Sequence, residues 1–234
     1  MTVFDKPRKL FLRIQLWMPF LMFQKGSWSY AKRWLGSVIR RGSAFDDAIP
    51  WLHFGAIDWL ETYLQPSMRV FEWGSGGSTL FWASRVQSVV SVEHNAEWFS
   101  RVSAAINELG HSGVELFHKP AQDESLGLKS DSHDPYVDYV AQIEAYPDGY
   151  FDLIVIDGVA RLECLRRATA KIRDGGVIVF DNSDRFPQEL KRFKSGQWEL
   201  LGFCGPSPYE PTGSFTETSL IIKHYSEPAG EVAS

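Results

Sequence analysis

The chain has 234 residues, of which 44% are hydrophobic and 23% charged, enough to form one α/β domain with an appended segment. Its formal net charge is −5, and its two cysteines, Cys164 and Cys204, have neither CxxC nor Cys/His spacing. This composition excludes a disulfide scaffold and a structural zinc site of the usual spacing, and it is typical of the reducing cytoplasm.

The charge is distributed unevenly along the chain. Residues 1–41 contain nine Lys or Arg and one acid, Asp5, so this segment carries about +8 and the remainder about −13. Within it, residues 10–23 are strongly apolar, but this run is shorter than the roughly 20 residues of a membrane span and contains Arg13 and Pro19. A signal peptide is not favoured, because no small-x-small cleavage site follows Phe23.

Residues 1–49 are therefore interpreted as a basic, apolar, helical extension with two open roles. It covers the domain or the partner in a homodimer, or it lies peripherally on a membrane with Trp17, Phe20 and Phe23 among the headgroups. Packing is favoured, because apolar N-terminal extensions belong to a core more often than to a membrane contact. Binding of nucleic acid is not expected, since the remainder of the chain is acidic.

Residues 50–226 alternate short apolar runs with helical patterns, which predicts one α/β domain followed by a flexible tail at 227–234. The predicted strands cover residues 68–73, 89–93, 114–118, 151–156, 175–180, 198–203 and 216–225. The predicted helices are one that carries Ile57, Leu60 and Leu64, and those over 78–85, 97–109 and 161–173. Residues 119–148 are polar and irregular, as expected of a loop with one short helix.

The most informative stretch is the glycine turn over 74–77, between the first strand and its helix. It has few β-carbons to hold a ligand away, and the first N–H groups of a helix favour a carboxylate or a phosphate. Glu93 ends the second strand, where it can accept hydrogen bonds from both hydroxyls of a ribose. A dinucleotide fingerprint is not matched, because Thr79 takes the third glycine position and Glu72 would add a charge beside a pyrophosphate. The pattern predicts a ligand that carries a ribose.

The acid-x-Gly-x-Gly order of Glu72, Gly74 and Gly76 resembles the first motif of the class I S-adenosylmethionine (SAM)-dependent methyltransferases. The runs FEWGSGGSTLFWA, VVSVEH, FDLIVIDG and GGVIVFDNSDR look, more narrowly, like a bacterial group of methyltransferase-like proteins. The resemblance implies a Rossmann-like three-layer α/β sandwich whose seven-stranded sheet is mostly parallel, with the last strand antiparallel. It also implies that SAM is the cofactor, bound by Glu72, Gly74, Ser75, Gly76, Gly77, Ser78, Glu93, His94, Gln122 and Asp157.

Two further acids, Asp157 and Asp181, end the fourth and fifth predicted strands, so they are expected at the same sheet edge as Glu72 and Glu93. With Asn182 they resemble the magnesium ligands of the catechol O-methyltransferase branch, and oxygen ligands of this kind suit Mg²⁺. The alternative is that both aspartates cap loops and helix N-termini.

Arg161 and Arg185 follow the same two strand ends and are suited to an anionic group of an acceptor, although a surface salt bridge is the commoner role of an arginine. With Asp157 and Asp181 they form the predicted catalytic set. The resemblance implies methyl transfer but does not identify the acceptor; we expect a small-molecule or glycan-type acceptor that is methylated at oxygen. Aminopropyl transfer from decarboxylated SAM is disfavoured, since no paired-acid polyamine site is evident. A non-catalytic SAM-fold module, held at a membrane or a partner by its basic N-terminus, is the remaining alternative.

Overall fold

Seven strands form one sheet at the centre of the protein. The computed structural model describes residues 17–18, 20–24, 26–40, 42–122, 134–210, 212 and 214–225. The strands are β1 (Arg69–Trp73), β2 (Ser88–Glu93), β3 (Val114–His118), β4 (Phe151–Ile156), β5 (Ile172–Asp181), β6 (Trp198–Gly205) and β7 (Thr216–Lys223). Their order in the sheet is β3-β2-β1-β4-β5-β7-β6, and β7 runs antiparallel to both of its neighbours. The predicted mostly parallel sheet with an antiparallel final strand is confirmed.

Helices cover both faces of this sheet. The α-helices are α1 (Ser27–Arg40), α2 (Phe54–Tyr63), α3 (Gly77–Ala83), α4 (Ala96–Leu109), α5 (Val137–Ala141) and α6 (Arg161–Lys171). Short 3₁₀ turns lie at Asp134–Tyr136, Gln142–Ala145, Ser183–Arg185 and Glu189–Lys194. None of the helices among the described residues combines the length and apolar character needed to cross a bilayer.

Alternating side chains of the central strands divide the core into two layers. Phe71 of β1 and Ile154 of β4 pack with α6 on one face, while Val70 and Leu153 pack with α2 and α3 on the other. Every residue of β4 is buried, as expected of a parallel strand that is covered on both faces. The three-layer sandwich follows from this double burial.

The element boundaries agree with the sequence except around the start of β5. Asn95 caps the N-terminus of α4. Gly110 ends that helix in a left-handed conformation, with φ 71°, which glycine adopts more readily than other residues. The helix predicted to continue to residue 173 ends instead at Lys171, and β5 begins at Ile172 rather than at 175. Ile172 is fully buried and pairs with Phe151, so burial beside β4 extends the strand across the irregularity that follows.

One face of α1 packs on the domain. Arg33 Nη1 lies 2.6 Å from Asp58 Oδ1, and Trp34 Nε1 donates a 2.8 Å hydrogen bond to the carbonyl oxygen of Glu210. Ser37 Oγ accepts a hydrogen bond from the backbone N–H of Tyr209. The remainder of the predicted extension at residues 1–16, and the predicted tail at 227–234, lie outside the described residues.

Candidate functional site

A cavity of about 730 Å³ opens at the carboxyl edge of the sheet. Its floor comes from the ends of β1, β2 and β4, as the crevice rule for open α/β sheets predicts. Its far wall comes from the segment that joins α1 to α2. The lining residues are Gly42, Ser43, Ala44, Phe45, Ile49, Trp51, Gly74, Ser75, Gly76, Gly77, Ser78, Glu93, His94, Asn95, Glu97, Trp98, Asp157, Gly158 and Tyr209.

The glycine turn lines this cavity, and two of its glycines are required by close backbone contacts. Gly74 has φ +96°, and a β-carbon there would lie 2.8 Å from the backbone nitrogen of Gly158. A β-carbon on Gly77 would lie 2.3 Å from the carbonyl oxygen of Ala44. The α1–α2 segment therefore packs directly on the start of α3. It occupies part of the space beside the glycine turn that the sequence analysis assigned to a ligand.

Glu93 is held rigidly at the floor of the cavity. Its Oε2 accepts 3.0 Å hydrogen bonds from the backbone N–H and the hydroxyl of Ser75, and its Oε1 accepts a 2.7 Å bond from the N–H of Asn95. His94 Nδ1 lies 3.0 Å from the same Oε1. Burial alone would raise the pKa of Glu93, but these donors outweigh it and hold the pKa below its ordinary value. A fixed carboxylate is thus presented at the predicted ribose position.

Glu72 lies beneath the turn and does not line the cavity, although the resemblance implies that it contacts the cofactor. It is fully buried, and its carboxylate accepts hydrogen bonds from Thr79 Oγ1 at 2.5 Å, Ser91 Oγ at 2.8 Å and Trp82 Nε1 at 3.0 Å. The Thr79 hydroxyl in turn accepts the backbone N–H of Gly76. Glu72 therefore fixes the turn from below, and burial raises its pKa despite these bonds.

Arg161 occupies the place between Asp157 and Asp181 at which the sequence suggested a metal. Its guanidinium lies 3.1 Å from Asp157 Oδ1 and 3.5 Å from Asp181 Oδ2, and it also donates to the backbone oxygens of Asp157, Gly158 and Asp181. The side chain of Arg161 is almost buried. Arg161, which was predicted to bind an anionic group of an acceptor, thus links the ends of β4 and β5 within the protein.

The predicted magnesium trio does not fit a metal in this arrangement. Asn182 turns its amide nitrogen toward Asp181 Oδ2 at 2.8 Å, and the other oxygen of Asp181 accepts a 2.8 Å bond from the Thr218 hydroxyl. A cation beside Asp157 and Asp181 would meet the positive guanidinium of Arg161. Within the described residues, no three His, Cys, Asp or Glu side chains converge as a metal site would need.

Asp157 is the aspartate of this pair that lines the cavity. Burial and the nearby carboxylate of Asp181 raise its pKa well above the ordinary value, and Arg161 offsets only part of this effect. The pKa of Asp181 is also raised, chiefly by burial. A raised pKa makes the carboxylate of Asp157 a stronger proton acceptor than an ordinary aspartate.

Gln122 and Arg185 also lie away from the cavity lining. The backbone N–H of Gln122 donates to the carbonyl oxygen of Pro135, and the chain beyond it at 123–133 lies outside the described residues. Arg185 is exposed on the 3₁₀ turn after β5, with its guanidinium 5.6 Å from the Phe186 ring centre. Neither residue lines the cavity, so their predicted roles gain no support from its geometry.

No motif in the sequence marks the wall formed by residues 42–51. Tyr209, from the loop between β6 and β7, has φ 59° and hydrogen-bonds through its hydroxyl to Asp47. Trp98 of α4 donates its indole N–H to the carbonyl oxygen of Ser75. These residues lie in irregular or helical segments without a motif, so only their aromatic character could have singled them out.

Solved structures of low sequence identity share this fold. A candidate O-methyltransferase from Klebsiella pneumoniae is 18% identical over 83% of this chain and 89% of its own, with a TM-score of 0.53. An rRNA methylase from Streptococcus thermophilus is 15% identical over 74% of this chain and 96% of its own, also at 0.53. A candidate methyltransferase from Streptococcus mutans, solved in complex with SAH, is 10% identical over 70% and 94%, at 0.50.

No family model and no curated protein matches the sequence. The likeness is therefore one of structure. The chain shares its Rossmann-like fold with these methylase and methyltransferase structures.

Proposed function

We propose that this protein is a SAM-dependent methyltransferase. The observation that carries the proposal is the convergence of the glycine turn and an anchored Glu93 on one cavity at the carboxyl edge of the sheet. In this assignment Glu93 receives the ribose hydroxyls, and the backbone of residues 74–78 receives the methionine end. His94, which follows Glu93 along the cavity floor, is assigned to the nucleoside side of the site.

The acceptor that this cavity supports best is a small molecule or glycan-type compound rather than a nucleic acid. None of the described residues that line the cavity is Lys or Arg, and three of them, Glu93, Glu97 and Asp157, are acids. A polyanion such as RNA would be repelled at this rim. The aromatic side chains of Phe45, Trp51, Trp98 and Tyr209 instead offer apolar faces beside hydrogen-bonding carboxylates, as a compound rich in hydroxyl groups requires.

Methyl transfer to a hydroxyl oxygen requires the protein to align the methyl group with the acceptor oxygen and to supply a proton acceptor. When bound, SAM supplies the methyl group from a sulfonium, whose S–C bond breaks as the O–C bond forms. We assign the proton of the hydroxyl to Asp157, because its carboxylate lines the cavity and its pKa is raised. Arg161 and Asp181 hold that carboxylate in position. No step in this scheme uses the predicted metal.

Calorimetry with SAM and S-adenosylhomocysteine on the full chain tests the cofactor assignment. Glu93→Ala should weaken binding by about 1 to 3 kcal/mol, the usual loss when hydrogen bonds to a charged group are removed. Glu108→Ala makes the same charge change at an exposed position of α4 and should leave binding unchanged. The measured affinity should be the same in the presence of Mg²⁺ and in the presence of a chelator.

Absence of binding to a folded wild-type protein would overturn the proposal. The non-catalytic module held by its basic N-terminus would then be the better description. Binding that Glu93→Ala and Glu108→Ala weaken equally would overturn the placement of the ribose. Once binding is established, transfer of a labelled methyl group to a panel of hydroxyl compounds tests the acceptor, and Asp157→Asn should abolish transfer while leaving cofactor affinity within about twofold.

A further inference from the structure

An apolar stripe runs along the outer face of α1. Trp28, Leu35 and Ile39 are 70%, 50% and 68% exposed, although each is a large hydrophobic side chain. With Lys32 they occupy positions i, i+4, i+7 and i+11, which an α-helix gathers into an arc of about 60°. These four residues, named the α1 stripe below, therefore form one continuous surface.

The chain that precedes α1 exposes a second group of the same kind. Met18, Met22 and Phe23 are 52%, 65% and 81% exposed. Phe20, which lies between them, is instead buried and stacks edge-on against Phe215. The segment is thus anchored to the domain through Trp17 and Phe20, while Met18, Met22 and Phe23 stay exposed to solvent.

The domain cannot itself cover the α1 stripe while α1 keeps its observed packing. Trp34 and Ser37 bond to the loop that carries Tyr209 and Glu210, and the ring of Tyr30 meets those of His53 and Phe54. These contacts take up the helix face opposite to the stripe. The stripe is left for a partner outside the described domain.

The charge of this region narrows the choice of partner. Lys32 lies within the stripe, and residues 1–41 together carry about +8. A second copy of the chain meeting the stripe face to face would bring two such segments together, which like-charge repulsion disfavours. An anionic lipid surface satisfies the apolar side chains and the positive charge at once.

We propose that α1, together with the exposed side chains of Met18, Met22 and Phe23, docks on the surface of an anionic bilayer, with α1 lying in the plane of the interface. Trp28, Leu35 and Ile39 enter the boundary between headgroups and acyl chains, and Lys32 meets lipid phosphates. The inference rests on the exposed residues and charge of α1 and does not depend on methyltransferase activity. Packing on the domain and contact with a membrane are thus two faces of one helix.

Co-flotation of the full chain with vesicles tests this proposal. The protein should float with vesicles of phosphatidylcholine and phosphatidylglycerol, remain free of vesicles of phosphatidylcholine alone, and be released by high salt. The double variant Trp28→Ser/Ile39→Ser should lose about tenfold or more in partitioning, because two large apolar side chains no longer enter the interface. The variant Lys32→Gln should lose a smaller factor.

A matched control separates the stripe from apolar exposure in general. Leu109→Ser/Val137→Ser removes two side chains that are 57% and 42% exposed elsewhere on the domain, and it should float like the wild type. Wild-type protein that fails to float, or a control that loses as much as the stripe variant, would overturn the proposal. So would a dimer that the stripe variant dissociates, or a lowered unfolding temperature in the stripe variant alone, because either result would show that protein covers the stripe.

Discussion

Two pairs of carboxylates lie at the same edge of the sheet, and the protein satisfies them by opposite means. Glu72 and Glu93, at the ends of β1 and β2, accept bonds mostly from neutral groups such as hydroxyls, an indole and backbone N–H. Asp157 and Asp181, at the ends of β4 and β5, share one guanidinium. One pair is held by dipoles and the other by a full charge.

The difference indicates which part of the edge is built for a ligand and which for internal support. The hydrogen bonds to Glu93 from Ser75 and Asn95 come from hydroxyl and backbone groups, so its carboxylate can still attract a ligand that donates hydrogen bonds. Arg161 instead neutralises one of the two negative charges at the ends of β4 and β5. Its positive guanidinium also repels any further cation, such as a metal ion, from this place. Carboxylates at neighbouring strand ends of one sheet thus differ in chemistry because different groups surround them.

Removal of Arg161 gives the largest expected effect. Arg161→Met leaves two mostly buried carboxylates without a cation, and breaking such a cluster costs about 3 to 5 kcal/mol of unfolding free energy. Urea denaturation at neutral pH measures this loss. Arg166→Met, on the same helix but in an exposed pair with Glu163, should cost less than about 1 kcal/mol.

A double replacement strengthens this test. Adding Asp157→Asn and Asp181→Asn to Arg161→Met should recover most of the stability, because the uncompensated charges are then gone. If Arg161→Met alone costs no more than Arg166→Met, the two pairs of carboxylates are not held differently and the comparison fails.

Glu72→Gln is expected to have the next largest effect. One oxygen becomes an amide N–H₂ that faces the Thr79, Ser91 or Trp82 donors, so we expect a loss of about 1 to 3 kcal/mol in unfolding free energy. Binding of S-adenosylhomocysteine should also weaken, because the Thr79 hydroxyl that accepts the N–H of Gly76 loses its anchor. Urea denaturation measures the loss of stability, and titration calorimetry with S-adenosylhomocysteine measures the loss of affinity.

Glu61→Gln is the control, since Glu61 is half exposed and pairs only loosely with Arg85. An unchanged affinity for S-adenosylhomocysteine in a destabilised Glu72→Gln protein would show that the turn keeps its shape without Glu72. The assignment of Glu72 to support of the turn would then be wrong.

Ser75→Ala should cost about 0.5 to 1.5 kcal/mol of stability, the value of one hydrogen bond, because the backbone N–H of residue 75 still reaches Glu93. Affinity for S-adenosylhomocysteine should not fall, since a ribose hydroxyl can take the acceptor site that the serine hydroxyl leaves. Urea denaturation measures the stability, and titration calorimetry beside Glu93→Ala measures the affinity. An affinity as low as that of Glu93→Ala would mean that Ser75, rather than Glu93, contacts the ligand.

The sequence was sufficient to predict most of the fold. Apolar runs of strand length, separated by helical patterns, specify a parallel sheet, and Gly110 marks a helix end, because these signals depend on residues near one another in the chain. The sequence also placed Glu93 at the cavity, since a strand end after a glycine turn has one position in this architecture.

The contents of the site depended on contacts that no local pattern encodes. The spacing of Asp157 and Arg161 at i and i+4 is readable, but Asp181 joins them only through the pairing of β4 with β5. Residues 42–51 carry no periodic signal, and their position against the cavity is fixed by Gly77, more than twenty positions away. Predicting their roles required the assembled sheet edge.

Asp157→Asn should have the smallest effect on stability at neutral pH and a characteristic dependence on pH. The amide oxygen can still accept from Arg161, and the substitution removes a carboxylate that Asp181 repels, so we expect a change below about 1 kcal/mol. Because the folded pKa of Asp157 is raised, the folded wild type binds a proton more tightly than the unfolded chain does. The wild type should therefore lose stability relative to Asp157→Asn as pH rises from the ordinary aspartate pKa through the raised value. Urea unfolding of both proteins across this range measures the difference, and a wild type that instead gains on the variant as pH rises would show that Asp157 is held by Arg161 as firmly as Glu93 is held by its neutral donors.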